Sequence, residues 1–177
     1  MRLFLTIVLL LAPMSIQAQS AFIEPYVGLA KTEVRLGDLV DVGDGFFLGV
    51  KSGAYFGRFF FGGDYHTGGP YTFGAPLQRG EWNHTMIGGG LGADYGVARF
   101  WFGYYPDGEF EDTVNNFKLK TSTYKLSVAL FVAKRIRASL DFLFYDVTKY
   151  ESFGTELPDP GYKVESVHVS LSLPFNF

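Results

Sequence analysis

Two residues near the C-terminus have the types and spacing of a hydrolytic pair. His168 and Ser170 are two positions apart, so an extended strand places both side chains on one face. A hydroxyl beside an imidazole is the minimum for nucleophilic catalysis, because the imidazole can accept the hydroxyl proton. The pair falls in the last strand-like segment, on its polar face, and strand periodicity alone accounts for it. We therefore predict no catalytic residue and no enzymatic activity.

The sequence indicates neither a metal nor a cofactor site. The three histidines, His66, His84 and His168, share no spacing typical of metal ligands, and the chain has no cysteine. Residues 88–93 fit a loose dinucleotide fingerprint, but that motif needs a following helix to meet the phosphates. Here another strand-like segment follows instead. The formal charge of -3 is mild and gives no reason to expect nucleic acid as a partner.

Seven charged residues lie near the middle of segments that otherwise alternate between apolar and small or polar residues. They carry both signs and share one face with glycine. Buried charges need partners, because an unpaired buried charge suffers a large desolvation penalty. We predict a salt-bridged network inside the fold, with a gated ion or proton path as the functional alternative. Its members are Glu24, Lys51, Asp64, Asp94, Arg99, Lys125 and Asp141.

The last eleven residues alternate between apolar and polar side chains and end on Phe177. Alternation of this kind gives a strand one apolar face and one polar face. The apolar face needs a cover, and no helical segment elsewhere in the mature chain could supply it. Lipid is the natural cover, so the segment is typical of a strand in a transmembrane barrel. The apolar face consists of Val167, Val169, Leu171, Leu173, Phe175 and Phe177.

Eight segments in all show this period of two. Strands of about 9 to 11 residues suit a tilted membrane span. The connections alternate between turns of a few residues, such as Lys134–Arg137, and long stretches at 33–45, 67–83, 106–117 and 150–162. We therefore predict an all-β fold, an eight-stranded antiparallel up-and-down transmembrane β-barrel with short periplasmic turns and long extracellular loops. The segments lie near residues 22–32, 46–56, 59–66, 84–95, 97–105, 118–132, 138–149 and 167–177.

The N-terminus has the layout of a cleaved secretory signal. A basic start at Arg2 precedes an apolar run from Leu3 to Ala12, and small or polar residues follow up to Ala18. The apolar run is too short for a membrane-spanning helix. We predict a signal peptide at 1–18 and one barrel domain at 19–177. The 19 Phe, 11 Tyr and 22 Gly suit strands, membrane interfaces and a crowded barrel interior.

A soluble lipocalin-like barrel is the alternative fold, with the apolar face turned inward around a ligand. Two features favour the membrane barrel instead. The polar face carries charges of both signs among glycines, which suits a packed lumen better than a solvated exterior. Aromatic residues such as Phe56, Phe59 and Tyr95 fall near strand ends, where an interfacial girdle would lie.

In its leader, its eight segments and its closing strand the chain resembles the small eight-stranded outer-membrane β-barrels, the family of the OmpA membrane domain, OmpX and OmpW-like proteins. The resemblance covers the whole mature chain. It implies a bacterial outer-membrane location, contact with outer-membrane lipid and lipopolysaccharide, and recognition by the barrel assembly machinery. In that family a terminal aromatic residue is part of the assembly signal, and Phe177 holds that position here.

The function we expect is a structural or surface-interaction role in the envelope, without catalysis, by a monomeric barrel. Three of the four long connections are acidic, and their carboxylates could bridge through divalent cations to lipopolysaccharide phosphates. Exposed aromatic residues there could bind a surface protein. A small-solute or ion channel is the first alternative. A lipid A-modifying enzyme is a weaker one, because the barrel deacylases carry their His-x-Ser pair in mid-chain.

Overall fold

The structure is a computed structural model that describes residues 20–73, 80–112, 114–158 and 161–177. The predicted signal peptide lies outside the described residues. Within them, no helix is long and apolar enough to cross a membrane. The described chain is almost entirely antiparallel β-structure.

Ten strands follow one another along the part of the chain that the structure describes. Their alternating burial is the direct result of the period-two pattern, which turns every second side chain to the same face. The strands are β1 (Ser20–Leu36), β2 (Leu39–Phe56), β3 (Phe59–Phe73), β4 (Gly80–Asp94), β5 (Ala98–Asp112), β6 (Phe117–Ala133), β7 (Ile136–Ser152), β8 (Thr155–Leu157), β9 (Lys163–Ser172) and β10 (Phe175–Asn176).

The strands close into a barrel of eight staves. Each of β1 to β7 pairs with the next one along the chain, and β9 pairs with both β7 and β1. The short β10 extends the eighth stave along β1, while β8 pairs only with the tip of β7. Closure gives every stave two neighbours and leaves no open edge around the middle of the barrel. The predicted fold class is confirmed.

The two ends of the barrel differ. At one, the turn end, tight connections such as Gly57–Arg58 and Lys134–Arg135 join β2 to β3 and β6 to β7. At the other, the hairpin end, most residues of the connections predicted to be long continue the strands instead, and only Gly37–Asp38 lie between β1 and β2. The strands β1 to β7 are therefore 15 to 18 residues long, beyond the 9 to 11 predicted, because backbone pairing continues past the apolar segments.

An apolar belt surrounds the outside of the barrel. Leu29, Leu91 and Val169 are typical members, with 58% to 70% of their surface exposed. Toward the hairpin end the outward positions become charged, as at Lys31, Asp146 and Glu165. A belt of this composition needs an apolar surrounding.

Side chains fill the interior in layers. At the turn end, Phe22, Tyr55, Phe60 and Trp101 form a ring layer. Charged residues occupy the middle, and histidine and phenylalanine rings lie above them. The hairpin end has its own core, which includes Tyr71, Phe73, Trp82, Phe110, Leu119, Tyr145 and Val164.

Two strand boundaries differ from the predicted ones. The closing strand is interrupted at Leu173–Pro174, since proline has no backbone N–H to donate to a ladder. Pairing then resumes, and the backbone of Phe177 exchanges hydrogen bonds with Ala21. The predicted turn at 134–137 is also too long. Arg137 belongs to β7, opposite Phe131 of β6, and its side chain is buried in the barrel.

Candidate functional site

The seven residues predicted to form a charged network all lie on the inner face of the barrel. Six of them are buried, and the side chain of Asp94 near the turn end is 15% exposed. Period two carries each of them inward, because their outward neighbours are apolar or small. The structure brings six of them into two connected clusters and leaves the ammonium of Lys51 between these.

The cluster nearer the turn end joins two carboxylates to two guanidinium groups. Arg99 donates from Nη1 to Glu24 Oε2, and its Nε lies 3.4 Å from Asp94 Oδ2. Arg137 contacts both acids, at 3.2 Å from Glu24 Oε2 and 2.7 Å from Asp94 Oδ2. Ser172 donates its hydroxyl to the other Glu24 oxygen at 2.6 Å. Such charge-assisted hydrogen bonds are the strong ones in proteins.

The second cluster is built around Lys125. Its Nζ lies 3.2 Å from Asp64 Oδ2 and 3.2 Å from Asp141 Oδ2, and all three side chains are almost completely buried. Two phenols complete the shell of Asp64. Tyr26 donates to Oδ1 at 2.6 Å, and Tyr105 donates to Oδ2 at 2.5 Å.

Lys51 connects the clusters without a close ion pair among the described residues. Its ammonium lies over the Tyr26 ring, 5.1 Å from the centroid, and 5.8 Å from that of Trp101. The carboxylates of Asp141, Asp64 and Glu24 are within electrostatic range. The interior charges of the two clusters and Lys51 balance, with Glu24, Asp64, Asp94 and Asp141 against Lys51, Arg99, Lys125 and Arg137.

Little free space remains around this network. A cavity beside Glu24, Lys51 and Trp101 has a volume of about 10 Å³, which is borderline for one water molecule. Below it the Arg99 guanidinium lies 4.3 Å from the centre of the Phe60 ring, and Phe60 stacks on Trp101 at 5.5 Å. The interior is therefore packed rather than open.

The sequence reasoning missed four members of the network: Arg137, Tyr26, Tyr105 and Ser172. Arg137 has the same parity along β7 as Ser139 and Asp141, so extending the strand by two residues would have placed it inside. Tyr26 likewise shares the parity of Glu24. For Tyr105 and Ser172 the inward direction was readable, but no sequence signal identified the carboxylate that each contacts.

His168 and Ser170 both point into the barrel. Neither ring nitrogen of His168 has a hydrogen-bond partner among the described residues, so the imidazole does not contact the Ser170 hydroxyl. An activated nucleophile requires that contact.

The three histidines come together even though their sequence spacing is irregular. The His66 ring centroid lies 5.2 Å from those of both His84 and His168. Phe47 stacks against His66 at 4.7 Å and lies 4.5 Å from His168. No group of three or more potential ligands among the described residues has an arrangement that could hold a metal ion.

Outside the barrel, an alternating set of charges covers the hairpin end. Lys118 lies 2.9 Å from Glu111, and Glu156 lies 3.0 Å from Lys120 and 2.8 Å from Lys149. The hydrogen bonds from Lys149 and Lys120 lower the pKa of Glu156 to about 2. The Glu156 carboxylate therefore stays charged below the ordinary pKa of a glutamate while the hairpin end is folded.

Solved structures with this fold include small outer-membrane barrels. The crystal structure of Ail, the attachment invasion locus protein of Yersinia pestis, in complex with the heparin analogue sucrose octasulfate is 11% identical and has a TM-score of 0.62; the match covers 89% of this chain and 100% of Ail. A second crystal structure of Ail is 12% identical with a TM-score of 0.58, again over 89% and 100%. The backbone structure of Ail in a phospholipid bilayer nanodisc is 10% identical with a TM-score of 0.52, over 90% and 100%.

No protein-family model matches the sequence, and no curated protein matches it. The likeness to Ail, at this low identity, concerns the fold. The chain thus has the fold of the small eight-stranded outer-membrane β-barrels, as its sequence predicts.

Proposed function

We propose that this protein is a non-catalytic outer-membrane β-barrel with a sealed lumen, and that its hairpin end acts at the cell surface in a structural or binding role. The proposal rests on the observation that side chains fill the interior of the barrel. Eight charged side chains balance one another between two layers of rings, while the outer surface presents an apolar belt. A barrel built in this way fits lipid outside and excludes solutes inside.

The apolar belt supports a membrane location. Outward residues of all eight staves are apolar through the middle of the barrel, and closure satisfies the backbone groups that lipid cannot. We place the turn end in the periplasm and the hairpin end outside the cell. Cleavage of residues 1–18 and recognition of Phe177 by the assembly machinery complete the proposal. Phe177 lies at the turn end and is 75% exposed.

The hairpin end supports the surface role. Its strands continue past the belt and carry the paired charges of Lys118, Lys120 and Glu156 on a sheet with its own buried core. Lys31 and Lys163 lie where the belt gives way to charge and could bind lipopolysaccharide phosphates. A surface of paired charges of this kind is suited to polar ligands. Because Ail was crystallised with a heparin analogue, a sulfated saccharide is a reasonable first probe.

Electrophoresis of the outer-membrane fraction tests the location. We expect the protein in that fraction, with faster mobility in unheated detergent than after boiling, because a closed barrel resists detergent until heated. A periplasmic protein with no mobility shift would make the soluble, lipocalin-like reading the better one.

Conductance in planar bilayers at neutral pH tests the sealed lumen. We expect no steady channels above the background of the bilayer. Large steady channels would instead support the small-solute or ion channel.

A titration with sucrose octasulfate, monitored by calorimetry, then tests the surface role. A Lys31→Ala, Lys163→Ala double variant measures how much these two lysines contribute to binding.

A further inference from the structure

The three histidines form a layer between the charged network and the core of the hairpin end. His66, His84 and His168 come from β3, β4 and β9, and each is fully buried. None of their six ring nitrogens has a hydrogen-bond partner among the described residues. Buried polar atoms are nearly always paired, so three adjacent unpaired imidazoles are an unusual feature of this interior.

The layer is continuous with the core of the hairpin end. His84 stacks on Phe110 with centroids 4.2 Å apart, and it contacts Tyr145 at 5.3 Å and Tyr71 at 6.4 Å. All three of these aromatic residues belong to that core. A movement of the histidine rings would therefore unpack the side chains that hold the hairpin-end strands together.

The charges that face the histidine layer disfavour an additional positive charge there. Lys125 is within electrostatic range of all three rings and Lys51 of His66, whereas Asp141 is the one acid among the described residues that acts on His168. The phenols of Tyr26, Tyr71 and Tyr145 face the layer from β1, β3 and β7. A proton on any ring would place a positive charge beside Lys125 and beside two other rings that can also take up protons.

One carboxylate oxygen offers a protonated ring a new partner. Asp141 lies directly across the ladder from His168. Its Oδ2 is engaged by Lys125. The Ser127 hydroxyl lies opposite Asp141 on β6 and acts on its carboxylate, but no donor among the described residues lies close enough to form a regular hydrogen bond with Oδ1. A protonated His168 is attracted to that oxygen and away from its contacts with Phe47 and His66.

From this arrangement we propose that the histidine layer is an acid-sensitive latch, which holds the hairpin-end core closed at neutral pH and releases it when the rings take up protons. The inference rests on the proposed function, because it describes how the surface that the barrel displays is regulated. Histidines in an open, hydrated state titrate near pH 6.5. Release should therefore begin below about that pH.

Hydrogen exchange of the full barrel in nanodiscs, corrected for the intrinsic pH dependence of exchange, tests the latch. If opening takes up protons, the equilibrium constant for opening rises about tenfold for each proton bound whenever the pH falls by one unit. We expect amides of β3, β4 and β5 near the hairpin end to open between tenfold and a thousandfold more for each unit below about pH 6. Turn-end amides should not change.

Phenylalanine at all three positions keeps aromatic rings in the layer but removes the ring nitrogens that can take up protons. In the His66→Phe, His84→Phe, His168→Phe variant we expect the acid-induced opening to be lost, whereas Glu156→Gln, which alters only the outer charges, should retain it. Each single variant should lower the number of protons taken up on opening, measured from the pH dependence of the opening equilibrium constant, by up to one. Where the triple variant does not fold, the single variants and the histidine NMR signals of the unmodified barrel serve as the readout.

Equal protection at pH 7.5 and pH 5 in the unmodified barrel would overturn the latch. So would opening that persists in the phenylalanine variant, since carboxylates would then be responsible, or histidine signals that stay neutral while the amides open. These outcomes leave the proposed function standing. That proposal fails separately, if the barrel at neutral pH shows no heat-dependent mobility shift or conducts freely.

Discussion

At the scale of single residues, Lys125 is a fully buried charge that depends on its two carboxylate partners. Its ammonium is buried between Asp64 and Asp141, 3.2 Å from each. Removing one partner of a buried ion pair leaves an uncompensated charge, which typically lowers the free energy of unfolding by about 3–5 kcal/mol. We expect Lys125→Ala to cause a loss of that order in urea-induced unfolding, followed by tryptophan fluorescence in detergent micelles.

Lys149→Ala is the matched control for Lys125→Ala. Lys149 also pairs with a carboxylate, at 2.8 Å from Glu156, but its side chain is 53% exposed. Exposed ion pairs contribute little to stability, so we expect a much smaller loss. Similar losses in the two variants would mean that water reaches Lys125 and that the network is not dry.

Glu156 allows a prediction about pH at a single exposed residue. Hydrogen bonds from Lys149 and Lys120 lower its pKa from 4.5 to about 2. A carboxyl whose pKa is lower in the folded state stabilises that state above its unfolded pKa. The stabilisation is therefore complete above pH 4.5 and disappears as the pH falls toward 2. In the His66→Phe, His84→Phe, His168→Phe background, where the hairpin end should stay closed in acid, we expect the NMR signal of this carboxyl to titrate near pH 2. Adding Lys120→Ala and Lys149→Ala should return the titration to near its ordinary value.

At the scale of elements, glycines in β2 create the space for the rings of β3. A Cβ on Gly45 would lie 2.6 Å from the Tyr71 ring, so the ring can lie there only because the side chain is absent. Overpacking of this kind costs about 1–3 kcal/mol. We expect Gly45→Ala to lower the free energy of unfolding by that amount and to make the hairpin end easier to cleave with protease. Gly63→Ala is the control, because the nearest atom is 3.7 Å away, and it should have almost no effect.

The strands show how far the sequence determines this fold and where it does not. Period two alone places Glu24, Asp64 and Lys125 inside, because each has apolar or small neighbours on the outward face. It cannot say that the pairing of β1 with β2 continues to Leu36 and Leu39, since charged residues such as Lys31 and Glu33 suit a loop and a solvated strand equally well. Strand ends beyond the belt depend on pairing between distant segments.

The candidate site, like the strands, depends partly on the local sequence and partly on contacts between distant segments. Inward direction is a local property, and it was readable for every member of the network except Arg137, which fell in the predicted turn at 134–137. The ion pairs depend on the shear of the barrel, which sets which staves bring their charges to one level. Thus Arg99 of β5 meets Glu24 of β1 across the lumen. The histidine layer escaped prediction for this reason, since the spacing of His66, His84 and His168 along the chain contains no trace of their proximity.

At the scale of the whole molecule, the seals of the lumen lie one after another along the barrel. The ring layer at the turn end, the charged network, the histidine layer and the hairpin-end core each fill the cross-section. Resistances in series add, so the layer that remains packed determines whether ions pass. Phe60→Ala with Trp101→Ala removes rings from the turn end only, and we expect no steady channels from that variant in planar bilayers at neutral pH. Channels should appear only when the network, the histidine layer and the hairpin-end core are also opened, for example by adding Lys125→Ala, His66→Ala and Phe110→Ala. If the turn-end variant conducts by itself, its rings are the only effective seal, and the charges above them must already be in contact with water.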